Sequence, residues 1–286
     1  MPSKQIQWFP GHMAKTRRLI SENLKNVDIV IELLDARLVK SSKNPEIAKL
    51  TENKPTLTLL TKASLADPNV TREWVKAYAE NGGFALPVDC ITGDNVSEIG
   101  NSVRKILADR IKRNEEKGLG AKKLRAMIVG IPNVGKSSLV NKLSGHKKAK
   151  VENRPGVTTN LQWVTTNQGF DLLDTPGVLW PKFEDEQIGQ NLAFTGSIKD
   201  AILDTDELGM LLAGKLRDIY PKLLCERYKL TEEEIDGLDC YDLLELIGRK
   251  RGFLMSGGEI NMERAALMLL DEFRNCKIGR ISLERP

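Results

Sequence analysis

The chain has 286 residues, of which 41% are hydrophobic and 29% charged, with a formal net charge of +4. These values exclude a bilayer-embedded chain and a charge-dominated disordered one, and they leave room for a nucleotide-sized domain with a smaller companion. The four cysteines (Cys90, Cys225, Cys240, Cys276) lack C-x-x-C spacing, which excludes a zinc ribbon or disulfide framework; no signal-like apolar stretch opens the sequence, so no membrane contact and a cytoplasmic location are expected.

In chain order, a first helix is expected over 14–24, where Leu19, Ile20, Leu24 and Val27 lean to one side. Residues 28–34 (D-I-V-I-E-L-L) form an apolar run of buried-strand type that ends at Asp35-Ala36-Arg37. Asn44-Pro45 opens a second helix as cap and first helical residue. A strand over 56–60 then delivers the chain into Thr61-Lys62-Ala63-Ser64. Asp67-Pro68 caps a helix carrying Trp74 and Tyr78, which Asn81-Gly82-Gly83 terminates. A short strand over 84–88 and a helix with Ile99, Val103, Ile106 and Leu107 follow, and the charged stretch 110–123 reads as a solvated connection. Residues 125–129 are the strand that feeds G-I-P-N-V-G-K-S at 130–137. Strands over 161–165 and 170–173 make an antiparallel hairpin of edge strands around Thr166-Asn167-Gln168-Gly169. Beyond 181 the pattern is helical, with apolar faces at Leu208, Leu211, Leu212, Leu216 and Ile219, at Leu243 to Ile247, and at Ala265, Met268, Leu269 and Phe273.

Alternating strands and helices imply a mostly parallel α/β sheet with helices on both faces and a ligand at the carboxyl ends of its strands. Residues 130–137 are a complete G-x-x-x-x-G-K-[ST] phosphate loop, and Asp174-Thr175-Pro176-Gly177 supplies D-x-x-G. A GTPase places its base-reading loop after these two, whereas the best candidate here, Thr61-Lys62-Ala63-Ser64, precedes them. That order predicts a circularly permuted P-loop GTPase domain over 1–180, followed by an all-α domain over 181–286. Permutation costs little in such a fold, because old termini near each other can be joined by a surface stretch such as 110–123.

In this loop Asn133, Val134, Gly135, Lys136, Ser137 and Ser138 are expected to wrap the phosphates at a helix N-terminus. Lys136 reaches the outer phosphates, Ser137 and Asp174 serve Mg2+, and the Gly177 N–H senses the γ-phosphate. Arg154-Pro155-Gly156-Val157-Thr158-Thr159 is a candidate switch, with Thr158 preferred to Thr159 as the magnesium ligand. After Gly177 comes Val178, where Ras-like enzymes carry a water-orienting glutamine. A valine cannot do this, so the site either hydrolyses slowly or imports its chemistry. Asn133 could hold a potassium ion beside the phosphates, and His12 could orient water once the N-terminus docks. A backbone-bonded loop asparagine and an exposed loop histidine are the plainer readings of those two residues.

W-F-P-G-H-M-A-K at 8–15, D-A-R at 35–37, the phosphate loop, P-G-V-T at 155–158 and D-T-P-G-V-L-W-P-K at 174–182 resemble ribosome-biogenesis GTPase A, the YlqF type of circularly permuted GTPase. The resemblance continues through G-S-I-K-D at 196–200 and R-N-C-K-I-G at 274–279. It implies a monomer that binds GTP and GDP and hydrolyses GTP during late assembly of the bacterial large ribosomal subunit, with the subunit precursor (rRNA and ribosomal proteins) as partner. It also implies activation by that particle and by K+, with His12 as the substitute catalytic residue. One departure stands out. The family pattern N-K-x-D is Thr61-Lys62-Ala63-Ser64 here, so a hydroxyl replaces the carboxylate that accepts two guanine donors. The expected loss is on the order of 1.5–3 kcal/mol in guanine affinity, which a Ser64→Asp change would be expected to restore. Lys62 can still lie along the base, and Asp89-Cys90-Ile91 is where the family places a backbone N–H toward guanine O6. Arg249-Lys250-Arg251 either neutralises the end of a helix stopped by Gly252 or contacts RNA phosphates, and Lys147-Lys148-Ala149-Lys150 has the same two readings. The alternative to an assembly GTPase is a nucleotide-dependent RNA-binding module with relaxed base specificity and little hydrolysis.

Overall fold

Seven consecutive buried side chains make β1 (Ile29–Asp35) the centre of the sheet. The structure is a computed structural model and describes residues 11–118, 123–145, 161–199 and 203–286. β1 pairs in parallel with β2 (Thr56–Thr61) on one side and β4 (Leu124–Gly130) on the other. β3 (Ala85–Pro87) extends the first flank and β6 (Phe170–Asp174) the second, both parallel, and β5 (Gln162–Thr165) closes the far edge antiparallel to β6. The order is therefore β3-β2-β1-β4-β6-β5. Helices cover both faces, so β1 needs apolar residues on both sides and shows no alternation. Its one interior acid, Glu32, has its pKa raised by burial despite the nearby Lys43 charge.

α1 (Gly11–Asn23) buries Met13, Thr16 and Ile20, and the short α2 (Val39–Ser42) follows β1. In α3 (Pro45–Thr51) the Asn44 side chain accepts the N–H groups of Glu46 and Ile47, and in α4 (Pro68–Glu80) Asp67 accepts that of Asn69. Both caps follow from the residue types that precede a proline at the first helical position. α5 (Ile99–Ile106) leads directly into α6 (Ala108–Glu116), which corrects the expected solvated connection over 110–123. Leu107 and Ile111 lie one turn apart and pack on the core, and a single apolar stripe suffices for a helix whose other faces are solvated. Arg110 also pairs with Asp28 beside β1. A second correction concerns the hairpin: only β5 is an edge strand, because β6 is inserted between it and β4.

α7 (Lys136–Ser144) follows the phosphate loop. The rest of the chain is helical: α8 (Glu186–Phe194), α9 (Thr205–Ile219), α10 (Pro221–Tyr228), α11 (Glu232–Ile235), α12 (Cys240–Lys250) and α13 (Met262–Arg274). Leu208, Leu212, Leu216, Leu243, Ile247 and Leu269 belong to a second core distinct from that of the sheet. α8 joins the two, lending Leu192 to the first core and Phe194 to the second. The last residues then return to the sheet: the Ile281 N–H donates to Leu65 O at 3.1 Å and the Leu283 N–H to Arg37 O at 2.6 Å. Among the described residues no helix is long and apolar enough to cross a membrane.

Candidate nucleotide site

β1, β2, β4 and β6 run parallel, so Asp35, Thr61, Gly130 and Asp174 end on the same edge of the sheet. The upstream base loop and the downstream phosphate loop meet there, whatever their order in the chain. Their seam is Thr61, whose buried hydroxyl donates to Val134 O at 2.7 Å and lies 3.0 Å from Leu34 O.

On the phosphate side the backbone leaves no room for substitution at two glycines. A Cβ at Gly130 (φ +156°) would lie 2.8 Å from Leu33 O, and one at Gly177 would lie 2.7 Å from Pro132. That closeness brings D-T-P-G against the phosphate loop. Lys136 Nζ donates to Gly130 O at 2.9 Å and Ile131 O at 2.5 Å. Burial lowers its pKa to about 7, with Asp174 opposing and Lys62 adding to the shift. Burial raises the Asp174 pKa to about 6, against the Lys136 charge. Asp174 Oδ1 is buried without a hydrogen-bond partner. An orphaned carboxylate oxygen within reach of the Lys136 charge at the start of α7 is a hard oxygen donor, which fits Mg2+ better than a soft metal. Thr175 pins the turn by donating to Ile128 O at 2.7 Å.

Asn133 adopts a left-handed backbone (φ +58°), and its Nδ2 donates to Gly196 O at 2.6 Å, which assigns Oδ1 as the acceptor end of the amide. The same turn is held from α13, where Arg274 donates to Phe194 O and Ala193 O, each at 2.9 Å. Val178 is 2% exposed, its N–H donates to Gly130 O at 3.2 Å, and its carbonyl accepts Asn44 Nδ2 at 3.0 Å. The Leu179 N–H faces Met13 Sδ at 3.5 Å. His12 therefore stands in the first turn of a helix whose next residue packs on the D-T-P-G segment. Its side chain, together with Thr158, Thr159 and Lys147 to Lys150, lies outside the described residues.

The base side is built from separated pieces. Lys62, in a left-handed conformation (φ 55°), places Nζ 3.0 Å from Asp35 Oδ2. Arg37 grips the same carboxylate through Nε at 2.9 Å and Nη2 at 2.8 Å, while its guanidinium lies 5.5 Å from the Phe273 ring centre of α13. Burial works against ionising Asp35, but the Arg37 and Lys62 charges outweigh it and hold its carboxyl far below the usual range. Burial lowers the Lys62 pKa, with Asp35 opposing. Ser64 Oγ donates to Asp89 Oδ2 at 2.5 Å, and Asp89 Oδ1 accepts the Ile91 N–H at 2.7 Å. The Ile91 donor is thereby occupied and the residue is 86% exposed, whereas Cys90 is partly buried against the sheet core. Burial pushes the Cys90 thiol up to about 11, which makes it packing and not a nucleophile.

Several of these residues carry no local signal. The D-A-R motif is visible in the sequence, but its tie to Lys62 is tertiary. Arg280, which donates to Ala66 O and Ala63 O at 2.8 Å each, arrives from the far end of the chain. The basic cluster at 249–251 is paired within its own domain: Arg249 with Glu245, Lys250 with Glu234, and Arg251 with Glu272. α12 ends at Lys250 and Gly252 follows with φ +70°, which is the helix-end geometry.

Comparison with known proteins agrees with this geometry. Residues 125–218 match the family described as 50S ribosome-binding GTPase. Ribosome biogenesis GTPase A of Bacillus pumilus (strain SAFR-032) is 44% identical over 281 residues, covering 98% of this chain and 99% of that protein. Ribosome biogenesis GTPase A of Priestia megaterium (strain DSM 319 / IMG 1521) is 46% identical over 282 residues, covering 98% and 97%. Among solved structures, GNP-bound YlqF from T. maritima superposes with a TM-score of 0.63 at 26% identity, covering 95% of this chain and 98% of that one.

Proposed function

The chain belongs to the ribosome biogenesis GTPase A family, and from that premise we propose that it binds the large-subunit precursor in its GTP form during late maturation and leaves after hydrolysis. It is a GTP-hydrolysing assembly factor of ribosome biogenesis. The finer reading is carried by Val178. Buried at 2% in the position after D-T-P-G, it contributes no group that could orient the attacking water. Turnover therefore waits on a group brought from elsewhere, and His12 is the candidate, because Met13 anchors its helix to Leu179. An enzyme that is slow alone and switched on by the particle it rides on suits a step that must report completed assembly.

Within that reading the loop from Asn133 to Ser138, with Lys136, holds the phosphates, and the Gly177 N–H faces the γ-phosphate. Ser137, Asp174 and Thr158 hold Mg2+, which supplies positive charge against the β- and γ-phosphate oxygens. Asn133 Oδ1 holds K+ where other GTPases receive an arginine. Lys62, Ser64 and Cys90 face the base, with Thr61 and Asp89 behind them as the groups that hold the loop.

The test is GTP turnover with and without large ribosomal subunits, in potassium and in sodium. The unassisted rate is expected to be on the order of 10⁻⁴ to 10⁻² s⁻¹, rising with the particle and with potassium. His12→Ala is expected to lower the stimulated rate about 100-fold or more while changing GTP affinity by less than about two-fold, as a group acting in the transition state does. Asn133→Ala is expected to abolish the potassium preference. A stimulated rate that survives His12→Ala would falsify the histidine role and leave the particle as the source of the catalytic group.

A further inference from the structure

Ser64 stands where the N-K-x-D pattern has a carboxylate, and the structure brings a carboxylate back to it from another loop. Asp89 Oδ2 accepts both the Ser64 hydroxyl, at 2.5 Å, and the Ser64 N–H, at 3.3 Å. Its Oδ1 accepts the N–H groups of Ile91 at 2.7 Å and Thr92 at 3.2 Å. Asp89 is 2% exposed, and both of its carboxylate oxygens are occupied by these bonds. Burial opposes its ionisation, but the bonds from Ser64, Ile91 and Thr92 together outweigh it and lower its pKa. The loop bearing Ser64 is also fixed from behind, through the two bonds from Arg280 to Ala63 O and Ala66 O.

A free serine hydroxyl rotates and serves equally as donor or acceptor, so it distinguishes bases poorly. An ionised carboxylate has no proton to give, so in the Ser64–Asp89 pair the hydroxyl must be the donor. Its proton then points at Asp89 and only lone pairs remain for the base pocket. Guanine presents N1–H, a donor, at the edge where adenine presents an unprotonated N1, an acceptor. We propose that Asp89 is a specificity-positioning residue of this chain, locking Ser64 as a pure acceptor so that the pair selects guanine in place of the missing aspartate. The inference rests on the GTP reading of the site. It also reverses the expectation for Ser64→Asp: with Asp89 in place, that change sets two carboxylates against each other within hydrogen-bond reach, and the like charges repel. Restoration needs the exchange of both residues.

The experiment is competition of GTP and ATP against a fluorescent GDP analogue, with a thermal melt for each variant. The unaltered protein is expected to prefer GTP. Asp89→Asn keeps an oxygen for the Ile91 and Thr92 N–H groups but offers an N–H to Ser64, reversing the hydroxyl. It is expected to weaken GTP about ten-fold and leave ATP unchanged or tighter, the size of one acceptor turned into a facing donor. Ser64→Ala, which leaves the Asp89 turn intact, is expected to lose the same discrimination and stands in if Asp89→Asn melts early. Ser64→Asp alone is expected to gain nothing, whereas Ser64→Asp with Asp89→Asn binds GTP about ten-fold more tightly than Ser64→Asp alone. Equal weakening of GTP and ATP by Asp89→Asn would overturn the proposal, leaving a loop brace; so would full restoration by Ser64→Asp alone. A protein that binds neither nucleotide would instead overturn the GTPase reading, and the inference with it.

Discussion

The phosphate half and the base half of this site are made in different ways. The phosphate half is two short stretches on neighbouring parallel strands, 130–138 at the end of β4 and 174–177 at the end of β6, and the groups we propose for it are mostly backbone. The base half is assembled from four places: the end of β1 at Asp35 and Arg37, the loop after β2, the turn at Asp89, and the C-terminal residues through Arg280. A site made from backbone tolerates little change, because glycine geometry and one lysine define it. A site made from side chains on four segments can lose one ligand and receive a replacement from another segment, as Ser64 and Asp89 illustrate. Permutation leaves both halves intact because both hang from the same sheet edge.

The sharpest way to break that contrast is Lys136→Ala. The phosphate half is expected to fail as a unit, with GTP and GDP affinity falling about 100-fold or more, since a desolvated charge–phosphate contact is lost from a preformed cradle. The fold is expected to survive. Burial already pulls the Lys136 pKa down to about 7, so in the nucleotide-free protein the charge is a cost and not a support. Thermal melting with and without GTP reads both effects: the melting temperature without nucleotide holds or rises, and the increment that GTP adds disappears. If the variant unfolds instead, Lys136 is part of the core through Gly130 O and Ile131 O, and the division between ligand-serving and structural groups fails.

The same contrast explains what could be read from the sequence. The strand–loop–helix phosphate site, the proline-preceding caps at Asn44 and Asp67, and the apolar run of β1 are local patterns, each governed by residues within a turn or two of one another. The helix over 108–116 leaves little trace in the sequence because its apolar stripe is only Leu107 and Ile111 among charged neighbours. The two base-half features least visible in the sequence, the Asp89 acceptor and the Arg280 brace, join residues separated by 25 and 217 positions, and no periodicity links such pairs. The departure at Ser64 could be seen in the sequence, but its compensation could not.

Thr61→Val tests the seam between the halves. The substitution keeps shape and burial while deleting the donor to Val134 O and Leu34 O. An unpaired buried carbonyl costs on the order of 1–3 kcal/mol, so GTP, GDP and ATP are all expected to weaken, by about ten-fold, as the phosphate loop loses its tie to the base loop. Calorimetric titration with the three nucleotides checks this. Equal losses place Thr61 at the seam, whereas a loss confined to the guanine nucleotides would make it a base reader and move the boundary between the halves.

The smallest expected effect probes the longest reach. Arg280 donates to two carbonyls of the base loop, but it does so at the surface, where water can replace part of each bond. Arg280→Ala is therefore expected to cost about 0.5–1.5 kcal/mol, roughly three- to ten-fold in affinity at most, and only for the base half. GTP and GDP are expected to weaken by the same factor, because they share a base and differ only at the phosphate end that Arg280 does not touch. Arg280→Lys is expected to recover only part of the loss: an ammonium can reach one of the two carbonyls but cannot span both as a planar guanidinium does. The measurement is the GTP-to-GDP affinity ratio beside the absolute values. A changed ratio would mean that the C-terminal strap reaches the phosphate half through the Asn133–Gly196–Arg274 chain of contacts, and that the two halves are coupled from behind as well as through Thr61.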